Sequence, residues 1–288
     1  MKAIYKREVA SYFNTVIGFV FIAILVGFIG IYFLAYNLAG GYPYFSYSLG
    51  SVLFIFMLAI PILTMRSFSD ERKSKTDQLL LTAPVGISSI VLGKYLAMIT
   101  VFAIPVCISI LCPIIIEFKG DGFLLVDMAT IFAFFLLGSV YIAIGMFISS
   151  LTESQIISAV GTFGILLLLY LWPNLIEFLP ATASMNMIGI LCIITIVVCI
   201  IYAITKNWVV SIGLEVVCVL TLVITYFVNQ DIFEHRLSLI FSNISFIDTF
   251  ESFAYNQIFD IDGIIYYLSI IGLFIYLTIQ SIQKRRWS

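Results

Sequence analysis

Between Glu8 and Arg66 the chain carries no charged residue, a gap of 57 positions. A membrane-crossing helix needs about 20 predominantly apolar residues, so the gap holds two crossings and the turn between them. Further charge-free runs cover 95–116, 128–152, 154–176, 178–205, 216–230 and 263–283. Outer-membrane barrels show strands of about 10 residues with alternating polarity, whereas these runs are long and apolar on every face. The pattern therefore predicts an all-α polytopic membrane protein. Composition agrees: 62% of the residues are hydrophobic and 10% charged, against about 25% charged in an ordinary soluble domain.

The runs place eight spans at roughly 16–34, 49–66, 89–112, 124–147, 156–176, 187–204, 208–228 and 264–282. Together they form a single transmembrane domain over 1–288. The sixth and seventh make a pair around Lys206, Asn207 and Trp208, and removing that pair leaves the orientation of everything else unchanged. Six spans plus a hairpin is thus the alternative count.

With eight spans both termini share one side, and basic residues in short loops set which side that is. Lys2, Lys6, Arg7, Arg66, Arg72, Lys73, Lys75, Lys94, Lys206, Lys284, Arg285 and Arg286 fall on the terminal side, 12 of the 14 basic residues. Lys94 joins them if it snorkels from the start of the third span. The opposite side holds Lys119 and Arg236 with ten of the 16 acids, Asp127 and Glu251 among them. Both termini are expected in the cytoplasm, with the chain in the cell membrane. The N-terminus has no short apolar segment followed by a small-residue cleavage site, so no cleavable signal peptide is expected.

Several chemistries are disfavoured at once. Cys107, Cys112, Cys192, Cys199 and Cys218 lie in apolar runs without CxxC spacing, which supports neither disulfides nor a zinc site. One histidine, His235, argues against multi-histidine metal sites and Ser-His-Asp catalysis. A net charge of −2 points to no nucleic-acid partner.

Three segments outside the spans carry information. In residues 1–15, Tyr5, Val9, Tyr12, Phe13 and Val16 fall within about 100° of arc on a helix, with Arg7, Ser11 and Asn14 opposite. This predicts a helix lying in the interface before the first span. In the segment 66–86, seven of the chain's 30 charged residues crowd into the 20 positions from Arg66 to Val85. There Thr76 to Leu81 can form a short helix showing Leu79, Leu80 and Leu81, stopped by Pro84. A solvated loop needs no leucine triplet, and a span would not tolerate the charges; the segment reads as a docking surface for a cytoplasmic protein. In 229–263, Ile247, Phe250, Ala254 and Ile258 recur at helical spacing between Asp248, Glu251 and Ser252, predicting an amphipathic helix over the outer mouth of the bundle.

The run Asp70, Glu71, Arg72, Lys73, followed by Thr76, Leu79, Leu80, Thr82, Pro84 and Val85, resembles the permeases of the ABC-2 exporter superfamily, most closely their gliding-motility-type branch. Those permeases usually have Gly where Lys75 stands and Glu where Gln78 stands. The interfacial N-terminal helix is similar to their elbow helix. Ser149 to Gln155 resembles the polar turn between their fourth and fifth spans. The resemblance implies that 66–86 is a coupling segment, in which Asp70, Glu71, Arg72, Lys73, Thr76, Gln78, Leu79, Leu80 and Pro84 meet a separate ABC ATPase. It also implies a second permease, of the same or a different chain, with ATP and Mg held by the ATPase subunits. The sequence has no GxxxxGK[ST] loop; Gly86 and Gly93-Lys94 are separated by six residues. By that motif the chain does not hold ATP and is expected not to be an enzyme.

Glu215 is the one carboxylate well inside a span, about 10 Å along the helix from Trp208. A charge at the bilayer centre costs about 2.5–3.5 kcal/mol on insertion scales. Glu215 is therefore protonated, snorkels partly or pairs with a polar group on a neighbouring span, or it serves a substrate or proton path. Three other classes compete with an exporter permease. A lipid-modifying enzyme needs clustered acids or a nucleophile with a base, and adjacent Asp70 and Glu71 point about 100° apart on a helix. A secondary transporter calls for repeated halves and midplane charges. A membrane scaffold that recruits an ATPase without moving a solute would show the same charged segment.

Overall fold

The computed structural model describes residues 1–76, 85–120, 122–256 and 259–287, and the regular structure among them is helical. Eight helices are long and apolar enough to cross a membrane: Val16–Ala39, Ser46–Lys73, Ile87–Lys119, Leu124–Leu151, Gln155–Glu177, Ala183–Thr205, Trp208–Val228 and Ile261–Arg285. They match the expected spans in number and order, with ends moved outward because a helix continues past the hydrocarbon into the interface. The chain is a multi-pass, all-α membrane protein. It divides into two compact units, Met1–Tyr170 with Phe246–Ser288, and Leu171–Ser245.

In the first unit, helix α1 (Lys2–Asn14) covers the amphipathic stretch expected to be helical over 1–15. It breaks at Thr15, whose backbone is extended, and α2 (Val16–Tyr32) follows and widens into a π-helical stretch, Phe33–Ala39. Next come α3 (Ser46–Thr64), the short α4 (Ser69–Lys73), α5 (Ile87–Ser109), α6 (Leu111–Lys119), α7 (Leu124–Leu151) and the start of α8 (Gln155–Glu177). Helices α12 (Phe246–Ala254) and α13 (Ile261–Trp287) complete the unit.

Helix α7 is the core element. Phe134, Leu137, Val140, Tyr141, Ile142, Ala143 and Met146 are all buried, and α3, α5, α12 and α13 pack around them. Apolar helices in lipid gain nothing from hydrophobicity against one another, so close approach of small residues and shape complementarity hold them. A Cβ on Gly138 would collide with the rings of Phe102 and Phe56, and one on Gly145 with Thr64. The absent side chains are what seat the aromatic stack of Phe56, Phe102 and Phe134, whose ring centroids lie 4.8–6.0 Å apart.

At one end of this unit, turns are closed by buried polar groups. Asp127, counted among the outer acids, is fully buried; its Oδ1 accepts the N–H of Phe45 at 2.9 Å and so caps α3. Asn37 donates to the carbonyls of Tyr42 and Tyr44 and accepts from Ser48, fixing the turn after the first span. The amphipathic helix predicted around Ile247 and Phe250 is α12: Phe246, Ile247, Phe250, Phe253 and Ala254 are buried, and the Tyr267 hydroxyl donates to the Phe246 carbonyl at 2.7 Å. Ile258, the last position of that predicted stripe, lies outside the described residues.

The second unit holds the extra pair, α9 (Ala183–Thr205) and α10 (Trp208–Val228), turned through Lys206 at φ +50° and capped by the Asn207 side chain. Asn186 donates to the Pro180 and Thr182 carbonyls and accepts from the Leu237 N–H, tying α9 to α11 (Arg236–Ser242).

Candidate functional site

The charged segment begins where α3 runs out. Phe68 and Ser69 point their N–H groups at the Ser149 hydroxyl, at 3.1 and 3.2 Å, and that hydroxyl donates to the Met65 carbonyl. Ser149 lies in the last turn of α7 and is fully buried. It thus serves the orphan donors at the start of α4, where backbone groups have no partner within the helix. Helix α4 carries Asp70 and Glu71 in its first turn and Arg72 and Lys73 in its last, the arrangement the helix dipole favours.

Each acid of α4 is held from a different direction. Asp70 accepts from Arg66 at 3.0 Å and from the Gln155 amide, at the start of α8, at 2.6 Å. Glu71 accepts from Lys94 of α5 at 2.9 Å and from Arg7 of α1 at 3.0 Å. Lys94 is the hub, with its side chain 3% exposed. Its ammonium also meets Glu8 at 3.3 Å, donates to the Ser67 carbonyl at 2.8 Å and lies 5.2 Å from the centre of the Phe68 ring. A buried ammonium is tolerated only when its donors are satisfied and its charge is countered, and two carboxylates and a carbonyl do both.

Arg7 pairs with Glu8 at 2.7 Å, and that hydrogen bond, with the charges of Glu8 and Glu71, holds its guanidinium above its usual pKa. Tyr12 reaches under the cluster to donate to the Leu63 carbonyl at 3.1 Å, and burial followed by the nearby Glu8 charge pushes its phenol well up. A cavity of about 240 Å³ opens beside these groups, lined by α1, Arg66, Asp70, Glu71 and Lys94.

The chain leaves α4 through two bonds that close its C-terminus. The Thr76 N–H donates to the Glu71 carbonyl at 2.9 Å and the Lys75 N–H to the Arg72 carbonyl at 3.1 Å. This double closure requires a left-handed residue just past the helix, the place glycine favours. Lys75 sits there at φ +57°, which explains physically why glycine suits that position. Lys73 and Thr76 are exposed. Gln78, Leu79, Leu80 and Pro84 lie outside the described residues.

Of the predicted site residues, Asp70 and Glu71 are thus joined to one polar cluster, while Glu215 is elsewhere. Glu215 is half-buried on α10 and accepts from the Thr195 hydroxyl of α9 at 3.2 Å, a pairing with a neighbouring span that was one of its readings. Sequence reasoning missed the roles of Glu8, Lys94, Ser149 and Gln155. Lys94 does not snorkel; it turns inward. The signal was present, since Lys94 is the single charge between Val85 and Ile116, and an ionisable group inside a span has to find a partner.

Among the described residues, no group of three His, Cys, Asp or Glu is placed to hold a metal. The fold and this cluster define a polytopic helical membrane protein whose N-terminal helix, the short helix at the end of its second span and its third span are locked together by ion pairs. A family model described as ABC-2 family transporter protein matches residues 3–279. The chain belongs to that family. No curated protein matches it.

Proposed function

We propose that this chain is the permease of an ATP-driven exporter and that residues 66–86 dock a separate ABC ATPase. The ATPase subunits supply ATP and Mg, and a second permease, of the same or another chain, completes the complex. In this reading the polar cluster and both termini face the cytoplasm of the cell, and the chain is a permease of the gliding-motility type.

The observation that carries the reading is the anchorage of α4. Its two acids and the two N–H groups at its start are held by α1, α5, α7 and the first residue of α8. A force applied to the segment by a closing ATPase pair is therefore delivered to four elements at once, three of them spans. A flexible loop of the same composition would absorb the displacement. Lys73 and Thr76, which are exposed, are then partner-facing, and Leu79 and Leu80 are assigned to the same contact from the sequence.

The test is co-purification. Leu79→Asp with Leu80→Asp is expected to abolish recovery of the ATPase with the permease while membrane insertion is kept. Undiminished recovery would overturn the assignment. A membrane scaffold shares this docking, so transport separates the two: the exporter reading requires ATP hydrolysis in vesicles to respond to a transported solute.

A further inference from the structure

At the end of α3 away from the Lys94 cluster, five tyrosines of the first unit form a continuous row of rings. Tyr32 stacks on Tyr36, Tyr36 meets Tyr42 edge-on, Tyr42 leans on Tyr47 and Tyr47 on Tyr255, with successive centroids 5.2–6.2 Å apart. Buried polar groups fix the row: Asn37, in the π-helical stretch, holds the Tyr42 carbonyl, and Ser48, next to Tyr47, donates to the Asn37 side chain at 2.7 Å. A Cβ on Gly50 would collide with the Tyr255 hydroxyl, so the glycine lets Tyr255 lie over α3. Tyr42, Tyr47 and Tyr255 remain 40–48% exposed, and no hydrogen bond among the described residues uses their hydroxyls. The Tyr255 N–H donates to the Glu251 carbonyl at 2.8 Å, which sets the exposed Glu251 and Tyr255 side chains one turn apart on one face. Burial, then the Glu251 charge and the phenols of Tyr47 and Tyr36, raise the pKa of Tyr255. The sign of the local charge follows from the sequence: residues 8–65 and 237–283, which build the row, contain no Lys or Arg. The adjoining turn sets Lys119 against Glu117 and Asp121 and so adds no positive charge.

Ring chemistry, charge and depth together select the occupant. A cation within about 6 Å of an aromatic centroid is attracted by the ring, and ammonium groups are recognised in this way. The row lies where the span Val16–Ala39 ends and the span Ser46–Lys73 begins, at the level of lipid headgroups. Below Tyr47, positions Ser51, Phe54 and Leu58 continue the same face of α3 at helical spacing, and Phe54 and Leu58 are exposed. From Tyr47 to Leu58 is about 16 Å along the helix, about half of a hydrocarbon core of about 30 Å and so the depth of one leaflet. A free amine would use the rings and leave this stripe uncovered. A basic protein segment would stop at the headgroups. We infer that this face binds a phospholipid with an ammonium headgroup, the ammonium over the Tyr47 and Tyr255 rings beside Glu251 and an acyl chain along Phe54 and Leu58. The Tyr42, Tyr47 and Tyr255 hydroxyls are the donors for its phosphate. The inference does not depend on the ATPase.

The test uses the purified full-length permease, with phosphatidylethanolamine or phosphatidylglycerol of the same acyl chains added to the detergent micelles and the retained lipid counted by native mass spectrometry. Wild type is expected to retain phosphatidylethanolamine in preference to phosphatidylglycerol. Tyr47→Leu with Tyr255→Leu takes two rings from the ammonium and is expected to weaken phosphatidylethanolamine retention about tenfold, whereas Tyr47→Phe with Tyr255→Phe keeps the rings and should keep the preference. Should the leucine variant not fold, Glu251→Lys leaves every ring in place and is expected to reverse the preference. Equal retention of the two lipids by wild type would overturn the proposal, as would unchanged phosphatidylethanolamine retention in the leucine and lysine variants. Full displacement of the lipid by free phosphoethanolamine would assign the rings to a soluble amine, and a dimer that retains no lipid would assign the face to a second copy; either result overturns the proposal.

Discussion

Replacing Lys94 with Met keeps the length and apolar stem of the side chain and removes the charge that Glu8 and Glu71 share. Removing one partner of a buried ion pair costs about 3–5 kcal/mol, because the other charge stays buried and uncompensated. Here the two carboxylates retain 13% and 18% exposure, and Arg7 still reaches both. Those contacts place the expected loss at the lower end, about 3 kcal/mol, with the Ser67 carbonyl losing its donor as part of it. Arg7 is itself 54% exposed, so Arg7→Gln should cost only about 0–1 kcal/mol. Equilibrium unfolding in mixed micelles, followed by circular dichroism, measures both. The decisive comparison adds Glu8→Gln and Glu71→Gln to Lys94→Met: with no charge left to bury, at least half of the lost stability should return, since apolar or neutral replacements of a buried pair are often close to neutral. A Lys94→Met variant within about 0.5 kcal/mol of wild type, a value typical of surface substitutions, would refute the hub. A triple variant as unstable as the single one would do the same.

Four further outcomes follow from the packing. Ser149→Ala strips the acceptor from the N–H groups of Phe68 and Ser69 and should destabilise by about 1–3 kcal/mol, with faster amide exchange at both positions. Gly138→Ala drives a methyl into the Phe56 and Phe102 rings and should cost about 1–3 kcal/mol in the same unfolding assay. Lys75→Gly relieves a left-handed lysine and should gain about 1 kcal/mol, slowing exchange of the Thr76 amide. Burial, and then Asp248, raises the pKa of Glu251, so its charged form is disfavoured in the fold; stability should fall as pH rises through that raised value, and Glu251→Gln should flatten the profile.

The spans were readable because charge is so scarce: a run free of Asp, Glu, Lys and Arg that exceeds about 20 residues has few alternatives to a membrane helix. Helices α1 and α12 were readable because their apolar positions repeat at helical spacing, and Tyr12, Ile247 and Phe250 are indeed buried. The polar cluster was not readable in the same way. Glu8, Glu71 and Lys94 are separated by 63 and 23 positions, and nothing local to any of them specifies the other two. Lys94 looked like one more basic flank because snorkelling and inward pairing leave the same sequence trace. The burial of Asp127 was unreadable for a related reason. Its position four residues into α7 marks the end of a span, whereas its burial follows from the Phe45 N–H that it caps.

Because α4 ends in a fixed, closed turn with Thr76 exposed just beyond it, the proposed contact with an ATPase can be tested at a single residue. A photoreactive amino acid at Thr76, in the permease expressed with its partner subunit, is expected to crosslink to the ABC ATPase. The control is the same group at Phe118, 88% exposed and at the far end of the Ile87–Lys119 span, where no crosslink should form. Capture of the ATPase from Phe118, or its absence from Thr76 in an intact complex, would contradict the assignment of this segment as the coupling surface.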